Sequence, residues 1–90
     1  MGRLKEKYLG RQIVVDTDSR WTYLGAFKEE DDFSITLEGA DAFDHSEVSL
    51  SKHEYVMLVR KDGIAANRKE TSILKAKIVG ITCLSDILDR

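Results

Sequence analysis

Ninety residues suffice for one domain with one core, and a chain of this size hides only about 60 to 65 % of the surface its unfolded form exposes, so a larger stability margin calls for oligomerisation. The formal net charge of −2, with a sequence pI near 5.6, excludes a global attraction to nucleic acid; any such contact must rest on local basic groups. The lone cysteine, Cys83, excludes an internal disulfide and, inside the apolar run Ile78-Val79-Gly80-Ile81-Thr82-Cys83-Leu84, reads as a small buried thiol.

No apolar run approaches the roughly 18 residues of a membrane span, residues 1–6 hold no hydrophobic signal core, and Glu6 stands where a myristoylation pattern needs Ser or Thr. The expectation is a soluble, cytoplasmic protein. Absence of proline, repeats, low-complexity tracts and interior linkers makes one compact unit over residues 1–90 the economical description.

Leu4, Tyr8 and Leu9 fall at helical spacing among charged residues, and Gly10 follows where a left-handed residue stops a helix, so a short amphipathic helix is predicted over residues 3–9. Residues 12–17 alternate Ile13 and Val15 against Gln12, Val14 and Asp16, and Asp16-Thr17-Asp18-Ser19 supplies turn chemistry before the aromatic strand opening at Trp21-Thr22-Tyr23. In that second strand Tyr23, Gly25 and Phe27 share a face, and glycine within a strand marks a sharp bend or a close backbone approach. An acidic turn, Glu29-Glu30-Asp31-Asp32, leads to a third strand with Phe33, Ile35 and Leu37 on one side and Ser34, Thr36 and Glu38 on the other, the pattern of a sheet with one wet face.

Asp41-Ala42-Phe43-Asp44-His45 can extend the third strand, and Ser51-Lys52-His53-Glu54 has capping-box spacing, which favours a helix over residues 52–62 ended by Gly63. The alternation of Tyr55, Met57 and Val59, with β-branched Val56 and Val59, keeps a strand as the competing reading. Strand chemistry returns at residues 70–74 and 78–84 around the tight link Lys75-Ala76-Lys77, and Ser85 is placed to cap a last helical turn over Asp86, Ile87 and Leu88.

Taken together, the N-terminal helix, the three strands with a glycine in the second, and the two short strands around a basic link resemble the Sm-like family, including its bacterial Hfq branch. The first motif matches Gly25, Phe27, Asp31, Phe33, Ile35 and Leu37, with Hfq-like spacing from glycine to aspartate to aromatic. The second matches Ile73-Leu74-Lys75-Ala76-Lys77-Ile78-Val79-Gly80-Ile81. The likeness covers residues 3–38 and 70–84, leaving residues 39–69 as an enlarged connection between the third and fourth strands.

What the resemblance implies is an all-β fold: a small five-stranded bent antiparallel barrel with a short N-terminal helix, here with an inserted helix. It also implies a homo-oligomeric ring closed by pairing of fourth and fifth strands between subunits, and single-stranded RNA, uridine- or adenine-rich, as partner. Carried over, the RNA-binding candidates are Asp32, Phe33 and Ser34 on the turn between the second and third strands, and Lys75, Ala76 and Lys77 on the link. Arg68 and Lys69 are added as phosphate contacts. An aromatic face stacks any base, and lysine near a phosphate adds sequence-independent affinity. Departures from the family pattern are Ser34 in place of asparagine, the missing Arg-Gly pair, Ala76 in place of the Hfq histidine, and the acidic turn. They imply the alternative of a protein-interaction scaffold ring that has lost its RNA site, with partners held through residues 45–69.

Several of these residues carry a second, structural reading. Phe33 also reads as core in line with Ile35 and Leu37. Asp31 reads as an acceptor for backbone N–H groups of its own turn, and the acidic run lacks the spaced ligands and glycine of a calcium loop. Residues 60–69 form the densest basic patch, either a helix end with a solvated loop or a phosphate-contacting arm of a ring. His45 and His53 beside Asp41 and Asp44 lack nucleophile-elbow or zinc spacing, so neither catalysis, a cofactor nor a metal is expected.

Overall fold

A computed structural model describes residues 3–47 and 49–89. Helix α1 (Arg3–Tyr8) precedes strands β1 (Gln12–Thr17), β2 (Trp21–Glu30) and β3 (Ser34–Asp44), then helix α2 (Lys52–Asp62) and strands β4 (Arg68–Leu74) and β5 (Ile78–Cys83). Every pairing is antiparallel, in one five-stranded sheet of order β4-β3-β2-β1-β5. Among the described residues no helix is long and apolar enough to cross a membrane.

The bend expected at Gly25 has a clear steric cause. A Cβ at that position would lie 3.2 Å from the Cα and Cβ of Ala40 and from the Cβ of Leu37, so the missing side chain lets β2 press onto β3. Across from it, Gly39 takes φ 58°, the left-handed conformation that lets a bulge absorb an extra residue. Pairing accordingly passes from Leu24 with Asp41 to Ala26 with Glu38, and a second shift follows between Phe27 and Glu29. The paired bulges turn one long hairpin into a curved wall.

Inside that curve lie Ile13, Val15, Phe27, Ile35 and Leu37, closed at one end by Tyr8 of α1. The Tyr8 and Phe27 rings sit tilted with centroids 6.4 Å apart. Gly10, at φ 78°, ends α1 as expected, and its N–H donates to the Phe27 carbonyl at 2.9 Å.

The other face of the sheet differs from the expectation of a wet surface. Val14, Leu24 and Phe43 are buried there with Val56 and Val59 of α2. Period-2 alternation identifies two faces without saying which stays in water, and α2 supplies an apolar cover for the second.

Helix α2 carries the complete capping box: the Ser51 hydroxyl accepts from the Glu54 N–H at 3.1 Å, and the Glu54 carboxylate accepts from the Ser51 N–H at 2.9 Å. Its bounds are those predicted, and the strand alternative for residues 52–62 is overturned. Val56 and Val59, three apart and so on one face, are the residues of α2 that bury. Lys52 pins the N-terminus to β1 with its ammonium 2.6 Å from the Asp16 carboxylate.

Tyr55 anchors the middle of the helix. Its ring stacks on Phe43 at 3.8 Å between centroids, and its hydroxyl donates to the buried carboxylate of Asp41. Burial, then the Asp41 hydrogen bond and charge, push the Tyr55 phenol up to about 12. Tyr55→Phe keeps the stacking and strands the Asp41 carboxylate, so a loss of about 1.5 to 3 kcal/mol in urea unfolding is expected, the range for hydrogen bonds to charged groups.

Two boundaries differ from the sequence reading. Strand β4 starts at Arg68 rather than residue 70, because the Asn67 side-chain amide pairs with the Ala42 N–H at 2.9 Å and carbonyl at 3.1 Å, extending the ladder as a strand residue does. Ser85 does not cap a turn over residues 86–88: the chain makes a 3-10 turn at Leu84–Asp86 instead, drawn in by the buried Leu84.

Candidate nucleic-acid interface

The turn between β2 and β3 is organised by Asp31. One oxygen of its carboxylate accepts from the N–H groups of Phe33 and Ser34, both at 2.8 Å, and from the Ser34 hydroxyl at 3.2 Å. These bonds, the Phe33 N–H first, hold the Asp31 carboxyl below its ordinary value. Asp31 therefore does the backbone-accepting job its position in an acidic turn predicts.

The same hydrogen bonds stand Phe33 out into solvent at 78 % exposure. Its reading as a core residue in line with Ile35 and Leu37 is corrected: strand β3 begins only at Ser34, so the alternation does not reach back to Phe33. The Phe33 carbonyl accepts from the Lys75 N–H at 2.8 Å. That bond joins the turn to the β4–β5 link, a 3-10 turn at Lys75–Lys77. Of the predicted residues, Asp32, Phe33, Ser34, Lys75, Ala76 and Lys77 thus belong to one end of the sheet.

Arg68 and Lys69 do not join them. Leu74 pairs with Ser34 whereas Arg68 pairs with Ala40, six residues back along β4, which at about 3.3 Å per residue is about 20 Å away. Any phosphate they meet lies on a different part of the surface.

One residue here escaped the sequence reading. Glu30 belongs to the acidic turn of four successive carboxylates, yet its side chain is only 2 % exposed and lies 2.5 Å from the Lys75 ammonium. Its other oxygen accepts from the Lys5 N–H at 2.8 Å. Glu30 therefore ties α1, the end of β2 and the β4–β5 link together. The cause is the shift in pairing between Phe27 and Glu29, which reverses the inward and outward sense of the last residues of β2. Strict alternation has no way to anticipate such a bulge.

Burial alone would raise the Glu30 carboxyl, but the Lys75 and Lys5 hydrogen bonds and the Lys75 charge outweigh it and hold the carboxyl below its ordinary value of 4.5. The sign follows from linkage: a lowered folded value means stabilisation that is present above the unfolded value and lost as pH falls through the folded one. Carbon NMR of the Glu30 carboxyl is expected to titrate below the ordinary glutamate range, with the Lys5 amide shifting at the same midpoint. In Lys75→Met that midpoint moves up.

Lys75 is thus committed to Glu30, while Lys77 remains the outward cation of the link. Its side chain is 63 % exposed and only loosely paired, 4.0 Å from Asp18. The Asp18 N–H donates to the Lys77 carbonyl at 2.9 Å, fixing the backbone from which it extends. Among the described residues no group of three or more His, Cys, Asp or Glu side chains is placed to hold a metal ion. The carboxylates near the histidines are engaged elsewhere, Asp41 by Tyr55 and Asp44 by Ser46 and Arg20.

No family model and no curated protein matches the chain. Among solved structures it is similar to the Sm protein of Pyrococcus abyssii in complex with a uridine heptamer, with a TM-score of 0.59 over 89 % of this chain and 92 % of that one, at 12 % sequence identity. The fold is Sm-like. The Sm-like sheet places the Phe33 turn and the lysine link side by side, and it leaves β4 and β5 as its two outer strands, each with one neighbour.

Proposed function

We propose that the chain is a subunit of a homo-oligomeric ring that binds single-stranded RNA without catalysis, through the end of the sheet carrying Phe33 and Lys77. The observation that carries this is Phe33: an aromatic ring 78 % exposed, on a turn held rigid by Asp31 and bonded to the basic link. A large apolar ring in water is costly, and one preorganised on the turn to which the basic link is bonded is a stacking platform for a base, with Lys77 of that link as the cation for a phosphate. That a structurally similar Sm protein was solved with a uridine heptamer supports uridine-rich RNA as the probe to try first, with adenine-rich RNA second.

The ring reading rests on the outer strands. β4 and β5 each present an unpaired edge, and both carry exposed apolar side chains, Leu74 and Val79. Edges of this kind need covering, and pairing β4 of one copy with β5 of the next covers both in a closed ring. Ring symmetry also multiplies Lys77, turning a single weak cation into a circle of them. A cytoplasmic location fits a ring that meets RNA.

The second reading, a scaffold ring without RNA, is favoured by the capture of Lys75 by Glu30 and by Asp31 and Asp32 on the turn. Under it, protein partners engage residues 45–69. Titration of labelled uridine-rich and adenine-rich oligonucleotides at two salt concentrations separates the two. RNA binding predicts saturable, salt-weakened binding at micromolar protein that falls roughly tenfold in Phe33→Ala, the loss of one stacked base. No saturable binding, with partners captured through residues 45–69, favours the scaffold.

A further inference from the structure

A cavity of about 400 Å³ lies away from the Phe33 turn, lined by Arg11, Gln12, Arg60, Cys83, Leu84 and Ser85. Its parts come from three places: the start of β1, the last turn of α2, and the chain leaving β5. Gln12 shares a face of β1 with Val14, the face that α2 covers. Cys83 and Leu84 are buried and make an apolar floor, whereas Arg11, Gln12, Arg60 and Ser85 are exposed around it.

The charge pattern of this cavity is one-sided. Two guanidinium groups line it and no carboxylate does. Among the described residues neither Arg11 nor Arg60 has a side-chain hydrogen bond or ion pair, whereas Lys28, Lys52, Lys75 and Lys77 each pair with a carboxylate. Arg60 also sits in the last turn of α2, where the negative end of the helix favours a cation. That accounts for one positive charge at this place and leaves the second, Arg11, without a structural partner.

We infer that this cavity binds the phosphate group of a nucleotide-sized ligand between Arg11 and Arg60. Planar guanidinium forks match phosphate oxygens in pairs of parallel hydrogen bonds. The Gln12 amide and Ser85 hydroxyl supply neutral donors and acceptors for the rest of the ligand, over the apolar floor. The volume falls within the range of small-ligand sites, about 300 to 1,000 Å³. The phosphate can come from a free mononucleotide or from one nucleotide of a longer strand, and the two sources share this chemistry. Because α2 contributes half of the charge, the site depends on the segment between β3 and β4 and not on the Phe33 turn.

The test uses the full chain and four probes: uridine monophosphate, uridine, inorganic phosphate and a uridine oligonucleotide, followed by amide NMR and by titration calorimetry. Uridine monophosphate is expected to move the amides of Arg11, Gln12 and Ser85, with uridine leaving them in place. Arg60→Gln and Arg11→Gln are each expected to weaken uridine monophosphate binding, read at these cavity amides, at least tenfold, while Lys61→Gln, which removes a neighbouring charge of α2 outside the cavity lining, leaves it unchanged; reading the cavity amides separates this site from the Phe33 turn. Movement with the oligonucleotide but not the monophosphate assigns the site to a strand. Both arginines are exposed, so unchanged amide dispersion certifies the fold of the variants. If no probe moves amides at this cavity, or if both arginine variants bind every probe as the parent does, the inference is overturned.

Discussion

Replacing Phe27 by alanine is expected to remove about 3 to 5 kcal/mol of unfolding free energy, while the same change at Phe33 is expected to cost less than about 0.5 kcal/mol. Phe27 is 1 % exposed, at the centre of the curved wall with Ile13, Val15, Ile35 and Leu37 around it and Tyr8 against its ring. Deleting it loses the transfer free energy of a whole ring and leaves a hole that neighbouring strands, held by their own hydrogen bonds, fill only in part. A domain of this size has about 5 to 13 kcal/mol in all, so Phe27→Ala takes a large share. Phe33 projects from the turn and touches water, so its removal leaves no cavity. Urea unfolding of the two variants against the parent reads both effects; an equal loss in the two would contradict the placement of Phe33.

The second large effect concerns assembly. Val79 is 69 % exposed on β5, and Leu74 is exposed on β4, the opposite outer strand. If these edges pair between subunits, Val79→Asp places a charge in a seam that excludes water, where an unpaired carboxylate is strongly unfavourable. Within one subunit the same side chain stands in solvent, so the fold survives the change. The expected result is a folded monomer by light scattering and circular dichroism, with affinity for a long uridine oligonucleotide down by about 10²-fold or more as several linked sites become one. A short oligonucleotide, too small to span neighbouring sites, is expected to lose far less.

Much of this fold was legible because its local signals agree. Gly10 and the helix it ends, the alternation of Ile13 and Val15 and the capping box at Ser51 rest on interactions within a few residues, the bend at Gly25 on a residue type whose missing side chain marks a close approach, and each took the expected form. What was not legible depends on where strands meet. The shift between Phe27 and Glu29 turns Glu30 inward to Lys75, and nothing in the acidic run Glu29-Glu30-Asp31-Asp32 distinguishes that one carboxylate from its neighbours.

Likewise the apolar residues Val14, Leu24 and Phe43 fit either a solvated or a covered face until α2 is seen lying on them. At the candidate site the resemblance to the Sm-like family grouped the Phe33 turn with the Lys75-Ala76-Lys77 link as one set of candidates. It did not distinguish Lys75, held by Glu30, from Lys77, which faces solvent. That difference moves the weight of any phosphate contact from Lys75 to Lys77.

Native mass measurement of the protein mixed with a uridine-rich oligonucleotide tests the ring and its RNA together. A closed oligomer of several copies carrying one oligonucleotide is the predicted species, and a bare monomer at the same concentrations would contradict it.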